Sequence, residues 1–202
     1  MKTNSKSYLV INGKKTELTK EQLKQLGIIP ETCYLSKDGK IAHIGEYEFI
    51  VINTDEKLGT TELLLKDNLC DMKFGDNNDF RTSEIRKRLD KFAHEIGDII
   101  TEENLVEHIV DLTADDGLKC YGAIKAKMSL FTANMVRENV EILDKFKLNE
   151  WWWTCTPYST PKHEHISCVK CVSPLGSFSI SSYVIDYGVR PFCIVKSSIF
   201  VS

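Results

Sequence analysis

No run of apolar residues in this chain approaches the length needed to cross a bilayer, which argues against a helical membrane span. The opening Met1-Lys2-Thr3-Asn4-Ser5-Lys6 has no apolar core, so no secretory signal is expected and a cytoplasmic location is. Basic residues are not in excess: 26 lysines and arginines face 29 acids, a formal net charge of −3, which argues against direct nucleic-acid binding. Internal repeats and low-complexity stretches are also missing, which removes solenoids and biased tracts. Seven cysteines, an odd number with no export signal, fit reduced thiols better than a disulfide framework. What is present is ordinary for a folded protein. Its 202 residues, 42% hydrophobic and 27% charged, suffice for one large domain or one domain with a small appendage.

The C-terminal third is the exception. Trp151-Trp152-Trp153 is costly to leave in water, because each indole carries a large apolar area. On a strand Trp151 and Trp153 share one side and Trp152 takes the other, so only a strand buried on both faces satisfies all three. Further on, Gly188-Val189-Arg190-Pro191 pairs a glycine, free to adopt backbone conformations closed to other residues, with the planar donor fork of Arg190. Arg190 is expected to pair with a carboxylate or cap backbone carbonyls inside the domain. Trp151, Trp152, Trp153 and Arg190 are therefore read as scaffold.

Upstream, Ser7 to Leu18 reads as a hairpin turning at Asn12-Gly13. Thr19 then caps a short helix ended by Gly27 and Pro30. Six lysines against two glutamates over residues 1–30 read as a solvated face. Asp38-Gly39 is a turn, and Tyr47–Ile52 and Thr61–Leu65 pair as a second hairpin around Asp55–Gly59. The loop Cys70–Phe80 holds Asp71, Asp76, Asn77, Asn78 and Asp79, but contiguous acids do not match a calcium loop's alternating ligands. Thr82 or Ser83 caps a helix bearing Ile85, Leu89, Phe92 and Ile96 at helical spacing, with Arg86, Lys87 and Arg88 outward. A second helix is expected over Glu102–Leu112, placing Leu105, Ile109 and Leu112 on one face. Between Asp90 and Asp116 lie nine acids and one base, a local net charge of −8. Such a run is usually a solvated surface, though it can also occupy a basic groove on another protein.

The two C-terminal motifs carry a resemblance. Trp152-Trp153-Thr154-Cys155-Thr156-Pro157 and Gly188-Val189-Arg190-Pro191 are similar to the "WWLRSP … GVRP" motifs of an uncharacterised family of phage, prophage and Firmicute proteins. Arg81-Thr82-Ser83-Glu84-Ile85-Arg86-Lys87-Arg88-Leu89 resembles that family's "NSDIRKWL" helix. The resemblance implies an α+β fold: a C-type-lectin-like domain over residues 45–202, related to formylglycine-generating enzymes and to retroelement-diversified proteins. Residues 1–44 would form the hairpin-helix appendage. Lys127–Thr132 would be a core strand, followed by a helix capped by Thr132 with Met135 and Leu143 inward. Cys155 stands where the family has arginine. The calcium-dependent lectins' Glu-Pro-Asn and Trp-Asn-Asp signatures are absent.

In the diversified relatives the loops between corresponding positions present the ligand surface. Here they map to Tyr158, His163, Glu164 and His165, a mixture suited to adaptable contacts. His163-x-His165-x-x-Cys168-x-x-Cys171 has short metal-ligand spacing, but in a regular strand Cys168 and Cys171 face opposite sides, so no metal is expected. Cys155 and His163 could form a nucleophile and base, although buried cysteines acting as small hydrophobes explain the same residues. No cofactor is expected. The leading expectation is a non-enzymatic phage or prophage protein that binds a host macromolecule through the lectin-like scaffold, with a protein as the expected partner. The second is an inhibitor of a defence nuclease, of the anti-CRISPR type, using Glu102, Glu103, Glu107, Asp111, Asp115 and Asp116 as an acidic face. The third is a cysteine- or zinc-dependent enzyme.

Overall fold

The structure, a computed structural model, describes residues 8–11, 14–17, 33–163 and 166–200. Strands β1 (Tyr8–Ile11) and β2 (Lys14–Glu17) form the expected antiparallel hairpin. The helix read between Thr19 and Gly27 lies outside the described residues. Next come β3 (Cys33–Leu35), β4 (Ile41–Ile44), β5 (Tyr47–Asp55), β6 (Thr60–Leu65) and β7 (Cys70–Lys73). Helix α1 (Glu84–Ile100) precedes β8 (Leu105–Val106), β9 (His108–Asp111), β10 (Ala123–Ala126) and β11 (Met128–Leu130). Short helices α2 (Ala133–Glu138) and α3 (Val140–Leu143) lead to β12 (Trp152–Pro157), β13 (Cys168–Val172), β14 (Phe178–Ser182), β15 (Asp186–Val189) and β16 (Pro191–Lys196). The fold is α+β and dominated by sheet.

One sheet runs β11-β16-β6-β5-β4-β3, with β8 also on β16; a second runs β14-β13-β12-β15-β7. The tryptophan strand β12 is therefore central, and it is buried along its whole length. Its alternation behaves as the pleat requires. Trp153 lies in a core shared with α1, and Trp151 packs against that core, whereas Trp152 joins a separate cluster with Phe131, Val136 and Phe192. Trp153 also donates its indole N–H to the Met72 carbonyl at 3.1 Å, which removes the polar cost of burial. Full burial of one such side chain contributes about 2–3 kcal/mol.

Helix α1 follows its apolar spacing. Ile85, Leu89, Phe92 and Ile96 are all fully buried, and the Ser83 hydroxyl caps the helix by accepting from the Arg86 amide at 3.0 Å. Of the three basic residues expected outward, only Lys87 is exposed. Arg86 lies down to donate to the Met128 carbonyl, and Arg88 covers the Phe92 ring while pairing with Glu95. Long cationic stems bury their methylenes readily. The helix stops at Thr101, whose φ of 67° no continuing helix tolerates; Asn104 then bonds the freed Ile100 carbonyl at 2.6 Å.

Three expectations need correction. The stretch Glu102–Leu112 is not a helix: after one 3-10 turn it becomes β8 and β9, with Val110 and Leu112 buried and Ile109 exposed. Burial alternates with period two, and β-branched Val106, Ile109 and Val110 favour that state. The boundary expected at 44/45 falls inside the β4–β5 hairpin of one sheet, and Cys33, Ala42 and Ile44 are core residues. Gly188 is not needed for backbone freedom. A Cβ there would meet the Asn68 side-chain nitrogen at 1.9 Å, so a side chain at this position would displace the Asn68 amide.

His108, on β9, sits against Phe192 and bonds Ser129 at 3.0 Å. Burial pushes its pKa down from 6.5 to about 4, and nearby Arg86 adds to this against the opposing effect of Glu107. Between those values the unfolded chain binds a proton that the folded one refuses, so stability falls as pH drops from about 6.5 to 4 and levels off below. The loss is expected to be about 3 kcal/mol. Urea midpoints of the wild type and of His108→Gln across this range check it, and the variant should show the shallower slope.

Candidate functional site

The loop after β7, the β9–β10 connection and the segment after β12 meet around one buried side chain, Asn78. Its amide nitrogen donates to the carbonyls of Ser159 (2.8 Å) and Cys168 (3.1 Å), and its oxygen accepts from the Tyr121 hydroxyl (2.8 Å). One residue thereby ties three loops together. Asp79 grips Arg81 through two oxygens, and the guanidinium lies 5.1 Å from the Tyr121 ring centroid. Asn77 accepts from the Asp79 amide, so this oxygen-rich loop spends several of its groups on its own structure.

The expected recognition residues divide. Asp115, Asp116 and His163, drawn from two separate stretches of sequence, come together. The Asp115 amide bonds the Pro157 carbonyl (3.0 Å), and the Tyr158 amide bonds that of Cys168 (3.0 Å). Asp116 accepts from the Ser159 hydroxyl at 2.6 Å and holds His163 at 3.0 Å, both on one oxygen. Asp115 is paired with Lys170 (3.1 Å) and Arg137 (2.8 Å), and both cations also lie over the Phe178 ring. Burial alone would raise both carboxyls. The hydrogen bonds from Arg137 and Lys170 to Asp115, and from Ser159, the Leu118 amide and His163 to Asp116, outweigh it and hold both below the ordinary range. Glu164 and His165 lie outside the described residues.

Glu102, Glu103, Glu107 and Asp111 do not join this cluster. The acidic run is also not an unbroken anionic face. Asp90 pairs with Arg86, Glu95 with Arg88, Glu102 with His94 and Lys127, and Glu107 with Lys125. Asp111 accepts from the Thr113 hydroxyl. Lys125, Lys127, Arg137 and Lys170 come from beyond the acidic stretch, so folding neutralises much of the charge that looks concentrated in one dimension.

The chemistry of the thiols is that of a core. Cys155, Cys171 and Cys193 are fully buried, and burial pushes each up to about 12, leaving them protonated at neutral pH. Cys155 is directed at the Leu130 and Phe131 carbonyls, while His163 is exposed on Asp116, so the imagined nucleophile and base do not meet. Cys168 and Cys171 lie three apart on the regular strand β13 and face opposite sides. Among the described residues no three metal-ligating side chains converge. Ser159, Asp116 and His163 are not a nucleophilic relay, since the imidazole does not stand between hydroxyl and carboxylate.

Comparison with family models, curated proteins and solved structures finds no match. The site therefore rests on its own geometry: fixed carboxylates, one exposed imidazole and an exposed apolar rim. The Tyr183 amide bonds the Ser167 carbonyl at 3.0 Å, extending the β13–β14 ladder by one pair, and Ile166 and Val184, the residues next to that pair in sequence, are both exposed. Sequence reasoning missed Asn78 as the organiser. Its only signal was membership of a polar loop, and nothing local distinguishes it from Asn77. It also missed Tyr121, Ser159 and Lys170, whose partners lie tens of residues away.

Replacing Asn78 with Ala takes the Asn78 partner from the Ser159 carbonyl and the Tyr121 hydroxyl, and leaves the Cys168 carbonyl only the Tyr158 amide. The expected cost is about 2–4 kcal/mol, with faster amide exchange concentrated in residues 113–122 and 158–168. Native-state hydrogen exchange with mass spectrometry checks both size and location.

Proposed function

We propose that this chain is a non-enzymatic binding protein of phage or prophage origin, with a C-type-lectin-like scaffold that presents loops 113–122 and 158–168 to a protein of the host cell. The observation that carries the reading is the Asn78 knot. It pins the recognition loops to a rigid two-sheet body before any partner arrives, and preorganisation lowers the entropic cost of binding. The surface beside it mixes an exposed imidazole with exposed Ile166 and Val184, the composition of an adaptable protein contact rather than of a polar solvated loop. The resemblance in the tryptophan and Gly-Val-Arg-Pro motifs supports the same surface, because in the diversified relatives those loops carry the ligand contacts. Inhibition of a defence nuclease is one form such binding would take. The ion pairs along Asp90–Asp116 favour a version that relies on the loops over one that relies on an acidic face.

Capture from host lysate tests the reading. The wild type is expected to retain a discrete protein partner at moderate salt. A chain with Ile166→Asp, Val184→Asp and His163→Ala is expected to melt within a few degrees of it and to lose that partner by at least about tenfold. A variant that folds and captures the same partner undiminished places the contact elsewhere.

A further inference from the structure

Among the described residues strand β14 has one neighbouring strand, β13, and none of them adds a strand to its other edge. Exposed edges are normally blunted by charge, proline or a bulge, because unpaired backbone invites another chain. The opposite edge of this sheet, β7, has Asp71 and Lys73. Phe178-Ser179-Ile180-Ser181-Ser182 has no charge and no proline, and its register with β13 is regular from Cys168↔Ser182 to Val172↔Phe178.

The backbone direction along that edge follows from the ladder. Tyr183 donates to Ser167 at one end, and Ser173 donates to Ser177 at the other. Hydrogen-bonded pairs alternate in an antiparallel ladder, so Ser179 and Ser181 aim their backbone groups at β13. Phe178, Ile180 and Ser182 aim theirs away from it. The Ile180 side chain is 41% exposed as well. Of the ten large hydrophobics exposed among the described residues, four (Leu175, Ile180, Val184 and Ile185) lie on this strand or within three residues of it, so apolar surface is concentrated here.

We propose that two copies of this chain pair through β14, antiparallel, about a two-fold axis at Ile180. With the axis there, Ile180 faces Ile180 of the second copy and each Phe178 faces a Ser182; the outward groups of the strand are matched, the Ser182 carbonyl, which already accepts from the Ile185 amide at 3.1 Å, serving as a shared acceptor. An axis at Ser179 or Ser181 strands one outward residue in each copy, so the register is specified. The strand is neutral, so no like charges oppose one another and a self-complementary contact meets no electrostatic penalty. Two five-residue edges bury less than a standard interface of about 1,600 Å², so the dimer is expected to be weak, with a Kd on the order of micromolar. Pairing would present two copies of the recognition loops together and raise avidity for a repeated partner. It does not depend on what those loops bind.

Sedimentation equilibrium of the full chain at concentrations up to roughly 100 µM tests the proposal. The expected mass is about twice 23.0 kDa, returning to 23.0 kDa in Ile180→Lys with an unchanged melting temperature. Ser179 of one copy faces Ser181 of the other in this register. Mixing Ser179→Cys chains with Ser181→Cys chains under mild oxidation should therefore give a mixed disulfide that neither variant forms alone. A wild type that stays at 23.0 kDa overturns the proposal, as does a dimer that Ile180→Lys leaves intact. If Ile180→Lys does not fold, the cross-link decides, and absence of the mixed species counts against β14.

Discussion

A buried cation held by backbone carbonyls joins the two sheets of this protein. Arg190 is 1% exposed, and its guanidinium donates to the carbonyls of Leu65 (2.8 Å), Lys66 (2.9 Å) and Phe146 (3.3 Å), with the Trp152 ring 5.3 Å away. Leu65 ends β6 of the larger sheet, Trp152 opens β12 of the smaller, and Phe146 belongs to the turn after α3. Burial lowers the guanidinium's pKa to about 10, opposed only in part by Asp67, and at neutral pH it stays charged. A buried charge of this kind is tolerable because carbonyl oxygens replace its water. Three chain segments that are distant in sequence are thereby fixed at one point.

The rest of the architecture follows from that point. Arg190 lies between β15 and β16, the place where the chain passes from the smaller sheet to the larger. Gly188, two residues before it, admits the Asn68 side chain against its own backbone, and Asn68 donates to Glu150 beside the tryptophans. Trp151 stacks on Tyr187, and Trp153 packs on Tyr187 and Phe74. The far end of the same strand, at Pro157, reaches the loops that Asn78 ties together. The scaffold motifs and the proposed recognition loops are thus two ends of β12, one closed by Arg190 and the other opened to solvent.

Much of the scaffold could be read in one dimension because its causes are local or periodic. The tryptophan triplet announces a strand buried on both faces, Ile85 to Ile96 repeats at helical spacing, and Arg190 beside a buried strand implies a carboxylate partner or carbonyl capping, of which the structure shows the second. The errors share a cause as well. Leu105, Ile109 and Leu112 fit a helical face by spacing, yet partners on β10 and β16, which the sequence does not show, draw the segment into strands. The acidic run looked like one surface because its neutralising cations lie elsewhere in the chain. Asn78 looked like any loop asparagine, since its three partners are 43 to 90 residues distant. Long-range hydrogen bonds and ion pairs leave no periodic trace, and the candidate site is made almost wholly of them.

The most direct measurement is equilibrium unfolding of Arg190→Ala and Arg190→Lys beside the wild type at neutral pH. If Arg190 joins the sheets as described, the alanine variant loses about 4 kcal/mol through orphaned carbonyls. Lysine, a point charge without the planar fork, should recover less than about half of that. A loss below about 1 kcal/mol for alanine, or full recovery with lysine, would contradict the account.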